Sequence, residues 1–124
     1  MKTLVSVVDD DESVRDSTNT LLRSVGYRVA TFESGELFLK SDTLSETECL
    51  VLDMRMPGMD GLELQRRLSI SNSRVPIIFV TAHDDKESRQ RAIDGGASDF
   101  FQKPFPASEF LEAVRIALKR PGAL

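Results

Sequence analysis

The sequence has little of what several specialised protein classes require. It contains one cysteine, one histidine and no tryptophan among 124 residues, so it can form neither an internal disulfide nor a metal site built from several histidines and cysteines. No stretch approaches the roughly 20 apolar residues of a membrane span, and the apolar run near the start is too short for a signal peptide. These absences predict a cytoplasmic protein.

The charged residues show no basic stripe. The net charge is −4, and lysine and arginine are scattered along the chain, which predicts that this chain alone binds nucleic acid poorly. With 40% hydrophobic and 29% charged residues, the composition is that of an ordinary globular domain. We expect one domain over residues 1–120, with residues 121–124 starting a linker or marking an artificial end of the chain.

Short apolar runs alternate with polar segments of helical periodicity. This alternation predicts an α/β fold in which a parallel sheet is covered by helices on both faces and joined by right-handed crossovers. Cys49 lies in one of these runs, "CLVLDM", which indicates a small buried hydrophobe and not a reactive thiol. The predicted strands cover residues 3–8, 28–32, 49–53, 76–82 and 98–103.

Five helices are expected between and after these strands. The first is capped by Asp11 and ended by Gly26. The second covers residues 34–41, buries Leu37 and Phe38, and leads into a polar loop, "SDTLSETE". The apolar face of the first helix consists of Val14, Thr18, Leu21, Leu22 and Val25.

The other three helices differ in how firmly they should pack. The third, after "PGMDG", presents Leu64 and Leu68, whereas in the fourth, "DDKESRQRAID", nearly the only apolar residues are Ala92 and Ile93. A helix this polar packs weakly and shifts easily. The fifth, after Pro106, presents Phe110, Leu111, Val114, Ala117 and Leu118.

Polar residues stand at the carboxyl ends of the predicted strands, where ligands bind in such sheets. They are Asp9 and Asp10, Asp53, Thr81 and Lys103. Three carboxylates brought together would repel one another unless a cation joined them. Oxygen-only ligands favour Mg²⁺, with Mn²⁺ as an acceptable substitute. Lys103 and Thr81 would suit the oxygens of a phosphoryl group, and a carboxylate between them could be its acceptor.

Each of these residues also has a purely structural interpretation. Asp11 and Glu12 are better explained as acids that complement the positive end of the first helix. Taken singly, Thr81 could be an ordinary strand residue and Lys103 a turn residue. His83, the only histidine in the sequence, has no Ser or Cys nucleophile motif and no second imidazole to act with, so we expect an exposed loop residue. It is the combination that indicates phosphoryl chemistry.

The segments "VVDDD", "LVLDMRMPGMDGLEL", "VTAH" and "GASDFFQKPF", in this order and spacing, closely resemble the receiver domain of bacterial two-component response regulators. "MRMPGMDG" and "FFQKPF" are most similar to receivers of the FixJ type. The resemblance implies a flavodoxin-like (βα)5 fold with strand order 2-1-3-4-5. It also implies a cis peptide bond between Lys103 and Pro104.

The resemblance further implies a role for each residue at the strand ends. Asp53 would accept a phosphoryl group from a phosphohistidine of a sensor histidine kinase. Mg²⁺ would be bound by Asp10, Asp53 and the backbone carbonyl of Arg55, with Asp9 assisting mainly through water. Lys103 would bind the phosphoryl group.

A switch is implied as well. Thr81 would follow the phosphoryl group, and Phe100 would move inward into the space that Thr81 leaves. Arg55 and His83 flank the acceptor and could tune hydrolysis. The surface of the fourth helix, fifth strand and fifth helix would then change, and the phosphorylated form could dimerise there.

The leading hypothesis is therefore a receiver that catalyses its own phosphorylation and slow dephosphorylation and is not a metabolic enzyme. Its output would be transcription, with DNA contacted only through an output domain beyond Leu124; the chain would be part of a larger regulator or a stand-alone receiver. A phosphorylation-independent pseudo-receiver is the alternative. A small phosphohydrolase with an aspartate nucleophile is a third, disfavoured because no substrate-capping insertion is evident.

Overall fold

The apolar runs of the sequence form five strands in the computed structural model, which describes residues 2–119. The strands pair in parallel in the order 2-1-3-4-5, which confirms the predicted fold. Every strand lies within one residue of its predicted bounds. They are β1 (Leu4–Val8), β2 (Arg28–Phe32), β3 (Cys49–Asp53), β4 (Ile77–Thr81) and β5 (Asp99–Gln102).

Within the described residues 2–119, five α-helices connect and follow the strands. Four of them begin at a side chain that accepts a hydrogen bond from the first turn, namely Asp11, Ser34, Asp60 and Asp85. Such caps satisfy backbone N–H groups that have no partner within the helix. The helices are α1 (Glu12–Ser24), α2 (Gly35–Lys40), α3 (Gly61–Ile70), α4 (Lys86–Asp94) and α5 (Ala107–Leu118).

The sheet separates two apolar cores. Side chains alternate along β3, so that Val51 packs with α1 and α5 while Leu50 and Leu52 pack with α2, α3 and α4. The strands β1, β3 and β4 are buried at every position, because both faces of each are covered. This explains why they appear in the sequence as unbroken apolar runs.

Two details of the predicted helices and one of the predicted polar loop were wrong. Leu37 is 47% exposed and Val25 is 52% exposed. In the six-residue α2 the large side chain that is fully buried is Phe38, while Leu39 packs against the same core partly buried; Val25 follows the last turn of α1 as its C-cap. The predicted polar loop contains a 3₁₀ helix over Asp42–Glu46, which Ser41 caps by accepting a hydrogen bond from the Thr43 N–H at 3.0 Å.

The expectation that Cys49 is a small buried residue is confirmed. Cys49 is fully buried, and this burial raises the pKa of its thiol to about 12. Within residues 2–119 no helix is both long and apolar enough to cross a membrane. The predicted linker start at residues 121–124 lies outside the described residues.

Gly61 allows α3 to pack directly against the end of β3. Its N–H donates to the carbonyl of Met54 at 3.0 Å. A Cβ atom at this position would lie 2.5 Å from the backbone oxygen of Asp53 and 3.0 Å from Met54 Cα. Since both of these atoms belong to the backbone, a larger residue would push the helix away from the strand.

We therefore expect Gly61→Ala to lower the free energy of unfolding by about 1 to 3 kcal/mol, the usual range for overpacking. Urea unfolding followed by circular dichroism measures this change. Ser69→Ala, on the exposed side of the same helix, is the control and should change stability by less than about 0.5 kcal/mol. Equal stability of Gly61→Ala and the control would contradict the close approach.

Candidate functional site

Three carboxylates meet at the carboxyl edge of the sheet. Asp9 and Asp10 follow β1, and Asp53 is the last residue of β3. Because Val8 and Leu52 are in register on these adjacent strands, the residues that follow them emerge side by side. One oxygen from each of the three carboxylates lies within 4.8 Å of the others. Asp9 and Asp53 are buried, whereas Asp10 is exposed.

Lys103 supplies a positive charge inside this cluster. Its Nζ lies 2.8 Å from Asp9 Oδ2 and 3.6 Å from Asp53 Oδ1. Its backbone N–H donates to the carbonyl of Thr81 at 2.7 Å, which fixes the start of this loop against β4. The peptide bond between Lys103 and Pro104 is cis, as the family resemblance implies.

The electrostatic surroundings favour the protonated form of Asp53. The pKa of Asp53 is raised to about 7, mainly because the side chain is buried and also because Asp9 is negatively charged, while Lys103 opposes the rise. A hydrogen bond with the Asp10 side chain contributes to this raised pKa, whereas the hydrogen bond from the Arg55 backbone N–H counteracts it. The cluster therefore carries more negative charge than one lysine compensates.

A divalent cation fits this excess of negative charge. The available ligands are carboxylate and carbonyl oxygens, which Mg²⁺ prefers. Both oxygens of Asp9 already accept hydrogen bonds, one from Lys103 at 2.8 Å and the other from the Asp11 N–H at 2.9 Å. Asp10 and Asp53 are consequently better placed as direct ligands, and Asp9 suits an indirect contribution.

Thr81 lies fully buried at the end of β4. Its hydroxyl donates to the carbonyl of His83 at 3.0 Å and accepts from the His83 N–H at 3.2 Å. These bonds turn the hydroxyl toward the loop between β4 and α4. The side chain of His83 is exposed, in agreement with the sequence analysis.

Phe100 is directed into the core below α4. It is 7% exposed, its ring centroid lies 6.4 Å from that of Phe79, and the guanidinium carbon of Arg89 lies 4.6 Å above its ring. The following residue, Phe101, faces the opposite core, where it contacts Phe110. Both aromatic residues of β5 therefore contribute to packing, one on each face.

The side chain of Arg55 has a partner that sequence reasoning missed. Its Nη2 lies 2.6 Å from Asp85 Oδ2, while its backbone N–H contacts Asp53 Oδ1 at 3.4 Å. A second pair joins Arg89 and Asp84, also at 2.6 Å. The acids of "HDDKESR" could be recognised as cap candidates for α4, but no sequence periodicity links Arg55 to a loop 30 residues away.

Comparison with known proteins agrees with this fold. The family model described as the response regulator receiver domain matches residues 5–115. The chain belongs to this family, which makes it a receiver domain of a two-component system. Nodulation protein W of Bradyrhizobium diazoefficiens is 47% identical over 119 residues, which cover 96% of this chain and 52% of that protein.

Solved structures give the same result. The response regulator StyR is 45% identical with a TM-score of 0.88, over 96% of this chain and 60% of that one. FixJ-N is 35% identical with a TM-score of 0.86, over 97% and 96% of the two chains. Receivers of the FixJ type are thus among the relatives. The chain spans about half the length of the curated relatives it matches.

The raised pKa of Asp53 predicts a dependence of stability on pH. Between its ordinary value of 3.8 and about 7, the folded protein keeps a proton that the unfolded chain has lost, so unfolding becomes easier as the pH rises. Asp53→Asn has no carboxyl group at this position and therefore does not lose stability in this way. In the presence of EDTA, we expect the unfolding free energy of Asp53→Asn minus that of the wild-type protein to increase by about 1 to 2 kcal/mol from pH 4 to pH 8. This is less than the full pKa shift would give, because solvent screens part of the charge.

Urea unfolding of both proteins across this pH range measures that difference. In millimolar Mg²⁺ the difference should shrink, because a bound cation would compensate the charge of Asp53 in the wild-type protein. An advantage of Asp53→Asn that stays constant with pH in EDTA would contradict the raised pKa.

Proposed function

We propose that the protein receives a phosphoryl group on Asp53 from a phosphohistidine of a sensor histidine kinase, with Mg²⁺ or Mn²⁺ bound beside it. The observation that carries this proposal is the position of Asp53, which is buried within 4.8 Å of two further carboxylates and 3.6 Å from the Lys103 amine. This arrangement combines a nucleophile, a cation site and a fixed positive charge.

The roles follow from charge and position. An oxygen of the Asp53 carboxylate forms the new bond to phosphorus while the bond from phosphorus to the kinase's imidazole nitrogen breaks, and that nitrogen keeps the electron pair. Lys103 neutralises charge on the phosphoryl oxygens, and the Thr81 hydroxyl donates to one of them after leaving His83. Mg²⁺ held by Asp10, Asp53 and the Arg55 carbonyl would supply charge neutralisation when bound.

The proposed switch runs from Thr81 to Phe100. If the Thr81 hydroxyl turns toward the phosphoryl group, it gives up its hydrogen bonds to His83, and the loop that precedes α4 shifts. Phe100 packs beneath α4 and contacts Arg89 from that helix, so the change reaches the surface formed by α4, β5 and α5. Phosphorylation would thus favour one of two accessible arrangements and support a homodimer through this surface.

Transcription is the proposed output. Among the relatives, TdiR of Thauera aromatica and FixJ of Bradyrhizobium diazoefficiens are described as transcriptional regulatory proteins. In this proposal residues 1–120 are the receiver, residues 121–124 begin a linker, and a separate output domain contacts DNA in the cytoplasm. The receiver would catalyse its own phosphorylation and slow dephosphorylation.

The first test is chemical phosphorylation with acetyl phosphate and Mg²⁺, followed by intact-protein mass spectrometry. We expect the wild-type protein to gain the mass of one phosphoryl group and Asp53→Asn to gain none. EDTA should prevent the reaction. Equal modification of both proteins would refute the assignment of Asp53, and no modification of the wild-type protein would favour the pseudo-receiver.

Lys103→Gln tests the proposed phosphoryl contact. Loss of a preorganised positive charge should slow phosphorylation by roughly a hundredfold, while glutamine can still donate a hydrogen bond to Asp9. The matched control is Lys40→Gln, an exposed lysine on α2, which should react at the wild-type rate. A Lys103→Gln variant that folds and reacts as fast as the control would contradict the role of Lys103.

A further inference from the structure

The two ends of α4 are held by different forces. Near the last turn, the buried side chain of Gln65 on α3 donates from Nε2 to the carbonyl of Ala92 at 3.0 Å. It also lies directly against Gly95, where a Cβ atom would come within 2.6 Å of Gln65 Oε1. A buried, hydrogen-bonded contact of this kind is costly to break, so this end of the helix is anchored.

The first turn is held by exposed charges and by the contact of Arg89 with the ring of Phe100. Asp85 Oδ1 accepts the cap hydrogen bond from the Ser88 N–H at 2.8 Å, while Asp85 Oδ2 pairs with Arg55 at 2.6 Å. The Arg55 and Asp85 side chains are 58% and 43% exposed. Because water and salt weaken such pairs, this end of the helix is the one that can be released.

Arg55 connects this releasable end to the acceptor. It lies two residues after Asp53, and its backbone N–H already contacts the Asp53 carboxylate. A phosphoryl group carries nearly two negative charges and three acceptor oxygens, and a guanidinium binds phosphate oxygens in a bidentate geometry. A phosphoryl group on Asp53 would therefore compete with Asp85 for Arg55.

We propose that the Arg55–Asp85 pair is an electrostatic tie that a phosphoryl group on Asp53 releases, so that the first turn of α4 loosens while Gln65 holds the last turn. This inference rests on the phosphorylation of Asp53 proposed above. It assigns Arg55 and Asp85 as positioning residues that couple the acceptor to α4. The helix then pivots about its anchored end.

Amide hydrogen exchange of α4, followed by NMR, tests the tie in the free protein and with beryllofluoride and Mg²⁺ as the phosphoryl mimic. In the wild-type protein, beryllofluoride should speed exchange at Ser88 and Arg89 by about two- to fivefold, the size expected for one exposed ion pair. Exchange at Gly95, near the anchored end, should not change.

Two variants remove the tie from opposite sides. Arg55→Gln leaves the cap intact and keeps the backbone carbonyl of residue 55. Asp85→Asn leaves the acceptor loop intact and keeps a cap oxygen, because asparagine caps helices as well as aspartate does. In both variants, exchange at Ser88 and Arg89 should already be fast without beryllofluoride and should change little when it binds.

Binding affinity gives a second readout. Since Asp85→Asn no longer competes for Arg55, it should bind beryllofluoride about two- to fivefold more tightly than the wild-type protein. Asp84→Asn is the matched control, because it removes the same charge one residue away, where the partner is Arg89. Its affinity should equal that of the wild-type protein.

The outcomes separate the two proposals. Failure of the wild-type protein to take up beryllofluoride in an Asp53-dependent manner would overturn the proposed function and this inference together. Normal uptake, with the same exchange at Ser88 and Arg89 in the wild-type protein and Arg55→Gln, would overturn the inference alone. Equal tightening in Asp84→Asn and Asp85→Asn would also overturn it, because it would reflect general electrostatics.

Discussion

The arrangement at the sheet edge depends on the partly buried ion pair between Lys103 and Asp9. The strands that lead to these residues are not neighbours, because β3 and β4 lie between β1 and β5. The lysine must therefore extend across the end of β3 to reach Asp9, and this path brings its amine close to Asp53. The Lys103 amine, which offsets the negative charge of buried Asp9, thus also places a positive charge beside Asp53, the proposed acceptor.

This pair constrains how the site can change. The Lys103 and Asp9 side chains are 16% and 1% exposed, and removal of one member of such a pair leaves an uncompensated buried charge, which commonly costs 3 to 5 kcal/mol. Asp9 and Lys103 are consequently a fixed framework. The adjustable members of the site are those with access to solvent, such as Asp10 and the side chain of Arg55.

The helices also differ in how much of their surface is buried. α5 buries Phe110, Val114 and Ala117, whereas Ala92 is the one residue of α4 that is fully buried. Elements that move in regulation are drawn from the less stable parts of a fold. The weak packing that the sequence predicts for α4 is therefore consistent with the surface proposed to change.

Much of the fold could be predicted because it depends on patterns local to each segment. Apolar runs mark buried parallel strands, and the carboxyl ends of such strands share an edge whatever the loops between them do. Leu37 shows where this reasoning fails, since a six-residue helix is too short for its buried face to be read from spacing. The Arg55–Asp85 pair was missed because these residues lie in two loops, one after β3 and one after β4, that are brought together by the sheet and not by any local sequence pattern.

Cys49 has a practical consequence. The thiolate is the reactive form of cysteine, and this thiol is both fully buried and held protonated at neutral pH. We therefore expect the folded protein to react with maleimides as though it had no cysteine. A cysteine introduced at an exposed position of α4 would react alone, and a fluorophore there would report on the helix without any change to the native core.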